Sequence, residues 1–578
     1  MFPKTQILVI LLSLVLVIMG CLITASSLQF VIDTYVPIPF LDEWDMIVNW
    51  AHKQHETGSV FVTLFDQHNE HRFAIPRLLF IADLTLLDGK GILNLLGVWV
   101  VQALHALVLW WLIVRALSMT RWVRVATAGV LLALLFSAMQ LDNLAVGFQV
   151  QFVGVFFFAT LFIWCLLSRA RSRRRADGRL LAGILLAMAA TFTMANGLLT
   201  WIVGLLIGLR ERWSWRNLAL FALVAVVTFW FYFADFYLSH AQRAIHWNPL
   251  DMLQFPWPLF QYTALYLGHA LSPNDYSLAM ALGGIGSVTA LGLLAVFLFD
   301  SNETYITSLA ARTLTVVTIF ILGTAILTSL GRSGLGLTQA TEDRYVTPAI
   351  IFWISLAASL ASLRPPNPVL AGLLRCGALF VVATGLLVVL SHQAGYLKAN
   401  AHLKNTRLAA VSALLADVYD KQTLSILHPR LHQLTKNNQV LANRKLSFHS
   451  LNWAALPGKN LTRDFDLPLS PHCHGYLDQA QLVESEKNSY QLRGWVVDRT
   501  TNKAADIVVL TTEDHSVVGI AFAGRPRADI RQHYPNAIDS GWFGYARAKP
   551  GQTIKAYALV NDNQSICLLR GNFSRADE

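Results

Sequence analysis

"RARSRRRADGRLLAGILLAMAATFTMANGLLTWIVGLLIGLRERWSWR", residues 169–216, decides how the chain is threaded. Two arginine-rich ends flank a run, 180–209, that contains no charged residue. The first end, 169–179, holds six arginines and one aspartate. A hydrocarbon core about 30 Å thick takes roughly twenty apolar residues to cross. The run is therefore long for one helix, and "MANG", 194–197, sits at its middle. A single span would put 169–179 and 210–216 on opposite sides. Two shorter helices turning at Asn196 and Gly197 return both to one side, as the bias of basic loops towards the cytoplasm demands. A hairpin is expected, with 169–179 a cytoplasmic loop.

The rest of the chain fits this frame. Of 578 residues, 54% are hydrophobic and 14% charged, with a mean hydropathy of +0.47. A soluble protein of this length needs more charged surface, so most of the chain must be solvated by lipid. The net charge of +10 does not mark a nucleic-acid binder, because the arginines lie in short loops between apolar runs. Nucleic acid is not an expected partner; the lipid bilayer is. Spans are expected near 6–28, 92–114, 122–138, 146–168, 217–238, 279–299, 306–330, 346–363 and 369–390. With the hairpin this makes about eleven membrane helices. The first run resembles a signal peptide but is too long for one, so an uncleaved first span is expected. The N-terminus and 115–124 are then cytoplasmic. Segments 30–91, 139–145, 239–278 and 331–345 are external, as is everything after about 392.

That external tail changes texture. Residues 400–450 alternate as an amphipathic helix followed by polar linker. From Gln481 onward come short runs, among them "YQLRGWVVD", "ADIVVLTT" and "TIKAYALV", separated by turn residues at the spacing of a small β-sandwich. Three regions follow: a membrane domain 1–391, a helical or linker region 392–479, and a soluble all-β sandwich 480–578. Cys21, Cys165 and Cys376 lie in apolar runs and suit core positions. Cys473 and Cys567 both fall in the tail, where an oxidising compartment would let them pair.

Three clusters can carry chemistry. "PFLDEWDMIVNW", 39–50, and "DQHNEHRFAIPR", 66–77, put Asp42, Glu43, Asp45, His68, Glu70, His71 and Arg72 in the first external segment, among aromatics and prolines. A solvated loop would explain the charges alone, but partly buried carboxylates beside arginines are where general bases occur. Asp42, Glu43 and Asp45 are the catalytic candidates, and the other four are expected on the acceptor side. If 68–72 is helical, His68 and Arg72 share a face. Asp42, Asp45 and His68 could hold Mg²⁺, Mn²⁺ or Ca²⁺; His68 and His71 lack the spacing of a zinc hydrolase helix. "GRSGLGLTQATEDRYVTPAI", 331–350, offers Arg332, Arg344 and Tyr345, a cationic clamp for a phosphate or an ordinary glycine-rich connector. Arg243, His246 and Trp247, in 239–278, could line a head-group site or anchor an interface.

With "LDEWD", 41–45, directly after the first span, the membrane part resembles the GT-C class of glycosyltransferases. Its layout is similar to the protein mannosyltransferases and the lipid A aminoarabinose transferases, without the WWDYG-type signature of the oligosaccharyltransferases. The resemblance implies a polyprenyl-phosphate-linked sugar as donor. It also implies a glycan, lipid or protein acceptor, and a base or acceptor-orienting role for Asp42 or Asp45. Arg332, Arg344, Tyr345 and Arg243 would then serve the donor phosphate. A bacterial inner membrane with a periplasmic C-terminal domain is implied as well. The tail is similar to a β-sandwich module appended to bacterial glycan-processing proteins, through Gly494 and Trp495, 527–530, and 541–543. A flippase or transporter of lipid-linked sugar, and an O-antigen ligase or polymerase, are the competing expectations.

Overall fold

The computed structural model describes residues 4–169, 176–237, 256–300, 303–464, 468–484, 486–561 and 563–574. It divides into two compact units. One comprises Met1–Ile32, Ser59–Ile81 and Leu93–Ala399, the other Asp33–Gly58, Ala82–Ile92 and Asn400–Glu578.

The first unit is helical. Among the described residues, eight helices are long and apolar enough to cross a membrane: Lys4–Thr34, Ile92–Leu117, Gly147–Arg169, Trp215–Phe233, Tyr276–Phe299, Leu309–Leu335, Asp343–Ser362 and Pro368–Leu415. Only the Pro368–Ala399 portion of the last belongs to this unit. Arg121–Leu135 and Ala138–Leu144, bent by 44°, make a ninth if taken together. The Lys4–Thr34 helix leaves Leu8, Leu11, Leu12, Val15, Ile18 and Leu22 exposed, a stripe that only lipid can cover. It crosses Arg121–Leu135 closely, since a Cβ on Gly20 would sit 2.2 Å from the Gly129 carbonyl oxygen. Small residues permit such backbone approach between membrane helices.

The hairpin expected in 180–209 is present. Helices Ala176–Thr191 and Leu199–Arg210 are joined through a tight helical turn, Ala195–Leu198. Gly197 is required there, because a Cβ would lie 2.1 Å from the Ala190 carbonyl oxygen. At the open end, the Arg169 guanidinium lies 4.8 Å from the Trp213 ring, and Arg179 donates to the Ser168 carbonyl. Arg210 Nε donates to Phe297 O at 2.8 Å, and Arg312 pairs with Glu211 and Glu303. Trp111 and Trp164 meet at 5.6 Å, with Arg115 above Trp111. The basic segments around Arg115, Arg169, Arg179 and Arg210 therefore gather at one end of the unit. The hairpin arms have 16 and 12 residues, which at 1.5 Å per residue is about 24 and 18 Å. Each is short of a full crossing, as is the 15-residue helix Arg121–Leu135, which is why the eight long helices are fewer than the eleven expected.

The second unit is built on strands β1 (Cys473–Leu482), β2 (Ser489–Asp498), β3 (Ile507–Thr511), β4 (Val517–Arg525), β5 (Gly541–Arg547), β6 (Thr553–Val560), β7 (Ser565–Leu568) and β8 (Phe573–Ser574). In place of the expected sandwich they form one antiparallel sheet, ordered β1-β2-β5-β4-β3-β6-β7 with β8 on β6, curled into a half-barrel. Its two edges meet: Cys473 and Cys567 form a disulfide, and Leu477 N–H donates to Arg570 O at 2.9 Å. Small inward residues, Ala521, Ala546, Ala556 and Ala558, fill the curl with Val508 and Leu510. Outward residues Val509, Ile520, Phe522 and Tyr545 pack in a second core with Ala410, Val411 and Leu414 of helix Leu403–Leu415. That helix, expected as the amphipathic part of 400–450, supplies the layer that a second sheet would have supplied. Strands with both faces covered mimic a sandwich in sequence.

Segments from the first external region complete this unit. Leu41 N–H donates to Leu427 O, and Ser447 N–H to Asp88 O, both at 2.7 Å. Ser447 Oγ donates to Pro37 O at 2.6 Å.

Candidate functional site

In the first unit, 65–73 is a turn and not the helix that would have put His68 and Arg72 on one face. His68 N–H donates to His71 O at 2.8 Å, and His71 N–H returns to His68 O at 2.9 Å. Asn69 takes φ +49°, which asparagine tolerates in a two-residue turn. Helix begins only at Ala74. The His68 and His71 rings lie 5.7 and 4.9 Å from Phe73, whose side chain is buried.

The turn projects Glu70. Its Oε1 accepts from Arg332 Nη2 at 2.8 Å and stands 3.5 Å from His71 Nε2. The Ala195 N–H points to His71 Nδ1 at 3.4 Å, which leaves Nε2 as the protonated nitrogen facing the carboxylate. Tyr232 Oη donates to the Glu70 carbonyl at 3.2 Å. The site thus joins the turn, the hairpin tip, the end of Trp215–Phe233 and the end of Leu309–Arg332. Since Leu309–Arg332 starts beside the arginine loops and ends at Arg332, the site lies at the opposite end of the unit. Arg332, Glu70 and His71 side chains are 24%, 27% and 13% exposed. They can be reached, yet are dry enough for charge to matter. A guanidinium held by one carboxylate can exchange it for a phosphate, and the released carboxylate can take a proton.

Arg72 has a different task. Nε donates to Tyr232 O at 2.7 Å, Nη1 to Phe65 O at 2.8 Å, and Nη2 to Ala234 O. It satisfies carbonyls at a helix C-terminus and stabilises that end. Arg344 pairs with Glu342, and its guanidinium lies 5.4 Å from the ring of the buried Tyr345. The Arg344 carbonyl accepts from Asn143, which also bonds Thr347. Arg332 and Arg344 therefore hold different carboxylates. Tyr345, 4.8 Å from Tyr266, stands within electrostatic reach of Arg332. Arg243, His246 and Trp247 lie outside the described residues.

The "LDEWD" acids belong to the second unit. Asp42, Glu43 and Asp45 form the first turn of helix Asp42–Thr57, where carboxylates favour the positive end of the helix dipole. Glu43 Oε2 accepts from Phe40 N–H at 2.9 Å, and Trp44 is fully buried. Asp45 meets a polar side-chain cluster. Asn437 Nδ2 lies 3.2 Å from Oδ1, while His428 Nε2 and Arg430 Nη2 lie 3.6 and 3.5 Å from Oδ2. His428 is buried behind the carboxylate, with Nδ1 3.1 Å from Arg430 N–H. Nearby, His449 Nε2 meets Asn438 Oδ1 at 2.9 Å, and burial pulls its imidazole down to about 4.

His68 thus belongs to one unit, and Asp42 and Asp45 to the other. Among the described residues, no three His, Cys, Asp or Glu side chains converge as a metal would require. Sequence reasoning missed Ala195, Tyr232, His428 and Asn437. The first two act through backbone or a lone hydroxyl and leave no pattern. The last two sit in "ILHPRLHQLTKNN", 426–438, whose density of imidazole and amide exceeded what a linker needs.

Fold and site together define a multi-pass membrane protein with a polar site at one end of its helical unit and a disulfide-closed β half-barrel in its second. No protein family, curated protein or solved structure matches the chain.

Proposed function

We propose that the chain is a membrane glycosyltransferase of GT-C type, moving a sugar from a polyprenyl phosphate to an envelope glycan, lipid or protein acceptor. The observation that supports this best is the Glu70–Arg332 pair, flanked by His71 and placed opposite the arginine loops. The positive-inside bias makes the arginine end cytoplasmic, so the pair faces outward, periplasmic in a bacterial inner membrane. A tail disulfide fits an oxidising compartment. In this reading both hairpin arms and Arg121–Leu135 also lie in the membrane, which with the eight long helices would make eleven among the described residues.

In this reading Arg332 takes the donor phosphate and releases Glu70. The acceptor oxygen attacks the anomeric carbon as its bond to the phosphate oxygen breaks. Glu70 accepts the hydroxyl proton, and Arg332 stabilises the departing lipid phosphate. Asp45 is the alternative base, by its place in "LDEWD". No step is assigned to a divalent cation.

The test is complementation of a deletion strain with wild type, Glu70→Gln, Arg332→Lys or Asp45→Asn, reading the envelope glycans. Loss of a general base costs about 10²–10⁴-fold, so Glu70→Gln should abolish the product. Full restoration by both Glu70→Gln and Arg332→Lys would sink the proposal. Loss with Asp45→Asn alone would move the base to Asp45.

A further inference from the structure

Much of the outer face of the half-barrel is covered by helix Leu403–Leu415, but it leaves Arg493 exposed and Arg525 half-buried, two arginines that the membrane site does not use. In register, Arg493 of β2 lies opposite Phe543 of β5, and Trp495 lies opposite Gly541. Arg525 of β4 pairs with Gly541 from the other side. Both guanidiniums converge on one ring, Arg493 at 5.5 Å and Arg525 at 4.2 Å from the Phe543 centroid.

Neighbouring arginines are neutralised. Arg527 is held by Asp478 and Asp529, and Arg547 by Glu486 at 2.6 Å. Among the described residues, Arg493 and Arg525 make no ion pair, and each guanidinium stands over the Phe543 ring. Two like charges on one face repel, and burial together with Arg493 holds Arg525 below the usual arginine range. Cation–π contact with a single phenylalanine is a weak interaction, and one ring explains one arginine better than two.

Beside them stands Trp495, partly exposed, with the His474 ring 4.9 Å away, edge-on. Its partner in β5 is a glycine, so no β5 side chain covers the indole. Tyr476, its partner in β1, is 45% exposed. Unneutralised cations next to aromatic faces complement a sugar ring that carries an acid: the guanidiniums meet the anion in a forked geometry, and the indole meets the apolar face of the ring.

We propose that the part of this outer face left open around Arg493, Trp495 and Arg525 binds an acidic glycan, with the two arginines on its anionic group and Trp495 stacked on the sugar. This site is independent of what the membrane unit catalyses.

Calorimetry on the purified full chain in detergent tests it with three probes: oligogalacturonate, its fully methyl-esterified counterpart of equal length, and inorganic phosphate. Oligogalacturonate should bind at least about tenfold more tightly than either of the others, the effect of one charge-assisted contact. The Arg493→Gln/Arg525→Gln variant should lose binding about tenfold or more. Arg493→Lys/Arg525→Lys, which keeps the charge, should bind between that variant and wild type, and guards against a misfolded glutamine variant. Trp495→Ala should weaken the oligosaccharide and leave phosphate unchanged. The proposal is overturned if wild type binds no probe, if ester and acid bind alike, or if either the double glutamine variant or Trp495→Ala binds oligogalacturonate as wild type does.

Discussion

The Cys473–Cys567 bridge closes the half-barrel across 94 residues of chain, and replacing both cysteines with serine measures what that closure contributes. A cross-link over a loop of about 100 residues removes unfolded-state entropy worth about 4.7 kcal/mol. Edge hydrogen bonds such as Leu477 to Arg570 survive the substitution. They do not compensate, because they are absent from the unfolded chain. For a urea dependence of about 2 kcal/mol per molar, the unfolding midpoint of the second unit should fall by roughly 2 M. The assay is protease sensitivity of the tail in isolated membranes across a urea series, which needs no detergent. Intact cells give a second readout in a background lacking Cys21, Cys165 and Cys376. With Cys567→Ser, the partly exposed Cys473 should react with an impermeant maleimide; in wild type it should not. An unmoved midpoint in the double serine variant, or wild-type labelling without reductant, would refute the closure.

Two further outcomes are expected. Asp420 caps helix Lys421–Leu424 and accepts from Gln422 N–H, Thr423 Oγ1 and Gln491 Nε2, all at 3.0 Å, and Tyr545 Oη at 2.6 Å. Burial alone would raise its carboxyl, but these donors outweigh it and hold it below the usual range. Asp420→Ala should cost the second unit about 3 kcal/mol, a cap and charged hydrogen bonds together, in the same urea assay. A depressed carboxylate stabilises fully above its unfolded value near 4 and loses that contribution as pH falls through its folded value. Asp420→Asn should therefore flatten the loss of stability below about pH 4. In the hairpin, Gly197→Ala drives a methyl into the Ala190 carbonyl and should cost about 1–3 kcal/mol or more. The control Gly292→Ala, with nothing within 4 Å of the added carbon, should be neutral or stabilising. Equal melting of the two variants in detergent would remove the turn.

Much of the membrane unit could be read from composition because one physical rule dominates it: apolar runs of sufficient length, punctuated by arginines. The hairpin at Asn196 and Gly197 followed from charge placement, the length of the run and its central Asn-Gly, and the Arg169 to Trp213 contact joins its open end. The second unit was less legible. Strands β3 to β6 read as sandwich strands since both their faces are buried, and nothing local says whether a sheet or a helix covers them. The answer lies in helix Leu403–Leu415, whose small residues Ala409, Ala410 and Ala413 fit the sheet but look unremarkable in isolation. The candidate sites show the same split. Glu70 and Arg332 could be nominated by residue type, although their pairing across 262 positions is a property of the packed helices. The acids of "LDEWD" stood out by charge, yet only packing separates Glu43, used by its own backbone, from Asp45 with its imidazole and amide neighbours.

The placement of charge also bears on the choice between surface chemistry and transport. Carriers hold ionisable groups near the bilayer midplane, where helices break and substrate binds. Here the arginines of the loops mark one end of the first unit, and Glu70, His71 and Arg332 mark the other. Among the described residues, the buried histidines of this unit include His105, midway along Ile92–Leu117. Its Nε2 lies 3.0 Å from Thr160 Oγ1, itself bonded to the Phe156 carbonyl. That imidazole meets a hydroxyl of a neighbouring helix through Nε2, while its buried Nδ1 has no hydrogen-bond partner among the described residues. A carrier would have to pass a charged lipid phosphate through this apolar interior. The proposed enzyme would need only to hold the phosphate at Arg332, at the end of the unit, with Glu70 as the base once the anion displaces it.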